Sequence, residues 1–257
     1  MSGIERKPGT FCWAELTTSD AAGAKKFYTE LMGWETHDDP IPGGGIYTMI
    51  RHDGGNAGAL YEMTAEMKSG GLPPMWMPYV TVADVAVTAK RAAELGGTIC
   101  KDAFDVFTIG SMAVLKDPTG AAISLWQPKE HHGFDHDDAR PGTVCWNELM
   151  TNDAGKARDF YTGLFGWTAE SQDKSPMPYT MFTNGGAPAA GMIELAAGVP
   201  PQWMVYFSVD DCDAKIARAT ELGAQLRFPA MDIPEIGRFA CLSDPQGAGF
   251  AMIKLKR

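Results

Sequence analysis

Along residues 11–17 the side chains alternate as a strand requires. Phe11, Trp13, Glu15 and Thr17 fall on one face, and Cys12, Ala14 and Leu16 on the other. The period then changes. Ala24, Phe27, Tyr28 and Leu31 recur at three and four, which predicts a helix capped by Ser19 or Asp20 and ended by Gly33. Extended runs follow at Ile46 to Arg51 and Ala57 to Glu62, separated by the hairpin signal Asp53, Gly54, Gly55. Residues 63–74, rich in Ser, Gly and Pro, read as a loop. The pattern then restarts: a strand from Trp76 to Val82, Asp84 as cap, a helix from Val85 to Leu95, and strands at Thr98 to Lys101, Ser111 to Lys116 and Ala121 to Gln127. Asp117, Pro118 and Gly120 have the preferences of a type I turn between the last two.

The whole series repeats. Gly9, Thr10, Cys12, Trp13, Glu15, Leu16, Asp20, Phe27, Tyr28, Gly33 and Trp34 recur 133 residues on, among them Cys145, Trp146, Glu148, Asp153, Phe160, Tyr161, Gly166 and Trp167. Farther along, Trp203 to Val209, Glu221 to Gly223 and Asp244 to Gly247 repeat their counterparts at 127 residues. Four strand–helix–three-strand units of about 64 residues account for nearly all of the chain. We expect two modules, 1–128 and 142–257. The polar, aperiodic stretch 129–141 is expected to be a solvated linker.

Composition narrows the functional classes. The chain has 257 residues, 45% of them hydrophobic, enough for real cores. A net charge of −10 argues against nucleic acid and anionic membranes as partners. No apolar run approaches a membrane span and the first ten residues lack a signal core. Five cysteines without a CxxC pair suit a reduced, cytoplasmic protein.

Four such units in tandem resemble the vicinal oxygen chelate superfamily, which includes glyoxalase I, bleomycin- and fosfomycin-resistance proteins and extradiol dioxygenases. The resemblance is carried by Asp20, Phe27, Tyr28, Gly33 and Trp34, their second copies, and the turns Asp117–Gly120 and Asp244–Gly247. It covers about 9–128 and 142–255. More narrowly, the chain looks like two-module proteins, typical of actinobacteria, described as glyoxalase-like or as hydroxylases. The resemblance implies an α+β fold in which tandem βαβββ units pair, each module curling a mixed eight-stranded sheet into a cup.

Family enzymes hold a metal there, through His or Gln on the first strand, His on the fifth and Glu on the eighth. Carried over by spacing, those positions are Trp13, Met77 and Ser124 in the first module and Trp146, Met204 and Ala251 in the second. Indole, thioether and methyl groups do not ligate a hard divalent ion. We therefore expect no metal and no other cofactor. The expected site is an apolar cup lined by Trp13, Trp146, Trp76, Trp203, Met77, Met204, Tyr79 and Tyr206, with Glu15 and Glu148 as polar anchors or general bases. Each Glu could instead pair structurally with an Arg or a backbone donor. Tyr47 and Tyr179 recur as well and read as ordinary strand residues. Arg238 reads as a surface residue, with an anion in the second cup as the alternative, and His131, His132 and His136, with Asp135, Asp137 and Asp138, read as a solvated segment of the linker, with a transition-metal cluster as the alternative. The near-equal motifs of the two copies weigh against one being a degenerate partner. Two functions stay open: a metal-independent binder of a small organic molecule, acting as monomer or homodimer, or a glyoxalase-like lyase, hydroxylase or dioxygenase that uses a Glu base or a metal held elsewhere.

Overall fold

A computed structural model describes residues 3–42, 44–172, 178–196 and 198–256. The first unit runs β1 (Phe11–Thr18), α1 (Ala21–Met32), β2 (Glu35–Pro40), β3 (Ile46–His52) and β4 (Gly55–Glu62). A short helix, α2 (Ala65–Ser69), follows where a plain loop is expected, its first turn capped by Thr64. The second unit is β5 (Met75–Thr81), α3 (Val85–Glu94), β6 (Thr98–Val106), β7 (Gly110–Lys116) and β8 (Ala122–Pro128). The third is β9 (Val144–Thr151), α4 (Ala154–Phe165), β10 (Thr168–Gln172), β11 (Tyr179–Asn184) and β12 (Ala187–Glu194). The fourth is β13 (Gln202–Ser208), α5 (Cys212–Glu221), β14 (Gln225–Ile233), β15 (Gly237–Ser243) and β16 (Gly249–Leu255). No helix among the described residues is long and apolar enough to cross a membrane.

The strands form two eight-stranded mixed sheets, ordered β2-β3-β4-β1-β5-β8-β7-β6 and β10-β11-β12-β9-β13-β16-β15-β14. Within each unit the first strand lies parallel to the last, and hairpins join the others. The capping logic holds at the residue level. Asp20, Asp84, Asp153 and Asp211 accept an amide of the first turn of α1, α3, α4 and α5. Gly33 and Gly166 close α1 and α4 in the left-handed conformation, at φ 74° and 69°.

The helix-side packing follows a partition that repeat spacing does not reveal. One compact unit is Met1–Trp13, Met77–Gly133 and Trp146–Met204; the other is Ala14–Trp76, Phe134–Cys145 and Val205–Arg257. In the first, Val80, Leu115 and Leu125 and the α3 residues Val85, Ala89 and Ala92 share one apolar core with Leu149, Phe160, Tyr161, Trp167 and Phe182. Burial of such side chains is worth about 1.5–3 kcal/mol each. In the second, Tyr28 stacks on Trp34 at 5.5 Å, and Trp76, Phe207 and Phe250 close around them.

Stretch 129–141 joins β8 to β9 and is packed at its centre, while Lys129, Glu130, Asp137 and Asp138 stay exposed. The amides of Lys129, Glu130 and His131 converge on the carbonyl of Ile109, and Trp126 donates its indole N–H to the His131 carbonyl at 2.9 Å. Asp135 exchanges bonds with Asn56, and His136 bonds the His52 carbonyl at 3.1 Å. Phe134 is buried. Its polar residues satisfy backbone groups, which a composition-based reading cannot foresee.

Candidate functional site

Strands β1 and β9 each carry a buried carboxylate on the face turned away from the helices. Glu15 and Glu148 are both 8% exposed. An acid that deep needs donors, and the same type of residue supplies one in each copy. Tyr47 of β3 donates its hydroxyl to Glu15 Oε2 at 2.7 Å. Tyr179, the repeat equivalent on β11, donates to Glu148. The nearby Trp146 indole acts on the same phenol and lowers its pKa, against the larger effects that raise it. The register makes this pairing feasible. Ala59 stands opposite Glu15, and Gly191 opposite Glu148. A Cβ at Gly191 would collide with the Tyr179 hydroxyl. Burial above all, and then the Glu148 charge, hold the Tyr179 phenol far above its ordinary range, so it stays a donor. Beside Glu15, Thr17 donates to the Tyr61 hydroxyl at 3.0 Å, and burial, then Glu15, push that phenol up to about 12.

The other predicted residues divide by strand parity. Tyr79 of β5 sits opposite Ser124, and Trp126 lies edge-on to Tyr79 at 6.5 Å, on the helix-free face. His131 joins that group, with its ring 4.7 Å from Trp13 and 6.0 Å from Trp126. On β13 and β15, Tyr206 packs against Phe239, which stacks on Phe228. Met77 and Met204 share the parity of Tyr79 and Tyr206. Trp76 and Trp203 do not. Each is one residue out of phase and lies in a helix-side core, where its indole donates at 2.8 Å to Tyr28 or Tyr161. Those tyrosines in turn donate to Asp244 and Asp117, the first residues of the two type I turns. The expectation that Trp76 and Trp203 line the site is thus corrected by the alternation of their own strands.

Sequence reasoning missed three contributors. The strand pattern alone reads Tyr47 and Tyr179 as ordinary strand residues, although both recur two residues before a methionine, Met49 and Met181. His131 carried no periodic signal because it follows β8 in irregular chain. Arg238 is accounted for: it pairs with Asp213 and Asp232, both at 3.0 Å. A separate cavity of about 310 Å³ lies between Met32, His52, Arg140, Val209 and Lys215, away from the Glu–Tyr pairs. Its cations are already committed, Arg140 to Asp138 and Asp53 and Lys215 to the Leu31 carbonyl.

The residues at the family's metal positions do not fit a metal. Trp13, Met77 and Ser124 provide one alcohol and no imidazole or carboxylate. The Ser124 hydroxyl is buried without a hydrogen-bond partner. Among the described residues no three His, Cys, Asp or Glu side chains form a metal-holding cluster. The thiols Cys12 and Cys145 are pushed up to about 12 by burial, so neither is a thiolate.

Comparison with known proteins agrees with this architecture. The model of the glyoxalase/bleomycin resistance protein/dioxygenase superfamily matches residues 10–125, and that of a glyoxalase-like domain matches 143–253. The chain is 41% identical over 253 residues to "Putative glyoxylase CFP32" of Mycobacterium tuberculosis, covering 97% of this chain and 96% of that protein. It is 34% identical over 261 residues to "Anthracycline biosynthesis protein DauV" of Streptomyces sp. (strain C5), covering 97% and 94%. Among solved structures, the Mn(II)-bound glyoxalase of Novosphingobium aromaticivorans aligns with a TM-score of 0.68 at 13% identity, over 97% of this chain and 83% of that one. The 2,3-dioxygenase LapB of Pseudomonas sp. KL28 aligns at 0.64 and 12% identity, over 100% and 94%. These two likenesses establish the fold alone. With near-full-length relatives and a family match in each half, the chain belongs to the glyoxalase/bleomycin resistance/dioxygenase superfamily, the vicinal oxygen chelate proteins.

Proposed function

We propose that this protein binds a small, partly aromatic organic molecule on the helix-free face of a sheet, without the family's metal. Trp13 or Trp146 contacts a ring, and Glu15 or Glu148 accepts a hydrogen bond from the ligand. The observation that carries this reading is the buried carboxylate with a tyrosine hydroxyl on it, present in both copies. A carboxylate is an acceptor through both of its oxygens, which suits it to a ligand that bears an N–H or O–H donor. Trp and Glu two residues apart on a strand lie about 7 Å from each other, a span one bicyclic molecule bridges. The relative named for anthracycline biosynthesis lends support to a flat aromatic ligand. The free cysteines support a reduced, cytoplasmic setting.

The same pair favours a second reading. A desolvated glutamate beside a phenol suits general-base chemistry, as in a glyoxalase-like lyase, and the name of the mycobacterial relative points that way. Tryptophan fluorescence titration against a metabolite panel tests the binding reading. Wild type should be quenched by at least one aromatic, donor-bearing compound, and Glu→Gln at the occupied copy should weaken it while sparing an apolar compound of the same shape. If Trp13→Ala, Trp146→Ala, Glu15→Gln and Glu148→Gln all keep wild-type affinity for a bound ligand, the site lies elsewhere.

A further inference from the structure

We infer that the two copies have diverged into one capped and one open site: residues 129–133 cover Trp13 from within the chain, and the ligand enters at Trp146, Tyr179 and Glu148. This rests on the small-molecule reading above and narrows it to the second copy.

The cap is built, not incidental. The ring of His131 stands edge-on to Trp13, 4.7 Å away at an interplanar angle of 89°. It takes the place over the indole that a ligand ring would need. Trp126 closes the side, with its indole N–H fixed on the His131 carbonyl at 2.9 Å. Two glycines make the closeness workable. Gly133, at φ +104°, passes so near the Cys12 carbonyl that a Cβ would overlap it, and a Cβ on Gly110 would overlap the Trp126 indole. As a result Trp13 and Trp126 are each 5% exposed and Cys12 is fully buried.

Among the described residues no counterpart of the His131 ring stands over Trp146, although Gly237 keeps the position of Gly110. Ile253 stands at the repeat position of Trp126. Trp146 and Cys145 are half-buried where Trp13 and Cys12 are buried. The polar anchor is nevertheless kept: the Tyr179 hydroxyl and the buried Glu148 carboxylate lie side by side over Gly191, where a Cβ would meet both. A half-buried indole beside a buried acceptor is the pattern for a flat ring bearing an N–H or O–H donor.

The test uses the full-length protein labelled with 5-fluorotryptophan, its ¹⁹F signals assigned through Trp13→Phe and Trp146→Phe. A soluble nitroxide is then titrated in. The Trp146 signal should broaden severalfold more than that of Trp13, and His131→Ala should expose Trp13 while leaving Trp146 unchanged. Equal broadening in wild type, or a Trp13 that stays protected in His131→Ala, would overturn the inference. No ligand is needed, so a negative result leaves the binding reading intact, and a failed ligand panel leaves this one intact. Where a panel ligand is found, Trp146→Ala should weaken it about thirtyfold and Trp13→Ala hardly at all; the reverse order also overturns the assignment.

Discussion

Glu148 and its tyrosine illustrate how a residue's role depends on what lies across the sheet from it. Alternation along β1 and β9 was enough to turn Trp13, Glu15, Trp146 and Glu148 to one face. It could not supply Tyr47 and Tyr179, because their approach depends on the β3–β4 and β11–β12 registers and on the small residues Ala59 and Gly191. The phenols give a direct test. Burial is the first cause that raises Tyr28, Tyr61, Tyr161 and Tyr179, with Asp244, Glu15, Asp117 and Glu148 adding to it. Ultraviolet titration should show these four of the seven tyrosines still protonated at pH 10, whereas in denaturant all should titrate near 10. A folded pKa above the unfolded one gives stability that is present below pH 10 and lost as pH rises through the folded value. Unfolding free energy should therefore fall in that alkaline window. Seven tyrosines titrating together near pH 10 in the folded protein would contradict the burial described.

At the scale of elements, the turn aspartates matter more than their turns require. Asp117 Oδ1 gathers the amides of Thr119, Gly120 and Ala121, while Oδ2 accepts the buried Tyr161 hydroxyl at 3.0 Å. Tyr161 accepts the Trp203 indole, so a turn, a helix and a strand are joined by two hydrogen bonds. Tyr28 does the same for Asp244 and Trp76. Tyr161→Phe strands a buried donor and a buried acceptor, and should cost about 1–3 kcal/mol, read as a lowered denaturant midpoint at unchanged slope. Asp244 adds a pH signature. Burial raises its carboxyl above the usual range, so its contribution is greatest at acid pH and is lost as pH rises through the folded value. The stability difference between wild type and Asp244→Asn should shrink or reverse over that rise; a constant difference would contradict a raised Asp244. The helices and caps were legible from apolar period and Asp or Gly placement. The edge strand β2 was not, because all six of its residues are exposed and leave no alternation to read.

For the whole molecule, the fourfold repeat announced the fold, and the 133- and 127-residue offsets set out its units in order. What they could not reveal is which units share a core. Each compact unit draws on both sequence halves, and Phe160 and Trp167 pack in the same cluster as Val80 and Leu125. Residues 1–133 expressed alone should therefore fail to give a cooperative monomer, and co-expression with 134–257 should restore one; calorimetry of each fragment and of the pair checks this. The central claim is binding without a metal, at an indole and a buried carboxylate. It is tested most directly by titrating a panel ligand into wild type before and after exhaustive chelation, alongside Trp146→Ala. The affinity should be the same before and after chelation, and lower by about 2 kcal/mol, or thirtyfold, in the variant. Binding that disappears on chelation and returns with one divalent metal, or a variant that binds like wild type, would contradict the account.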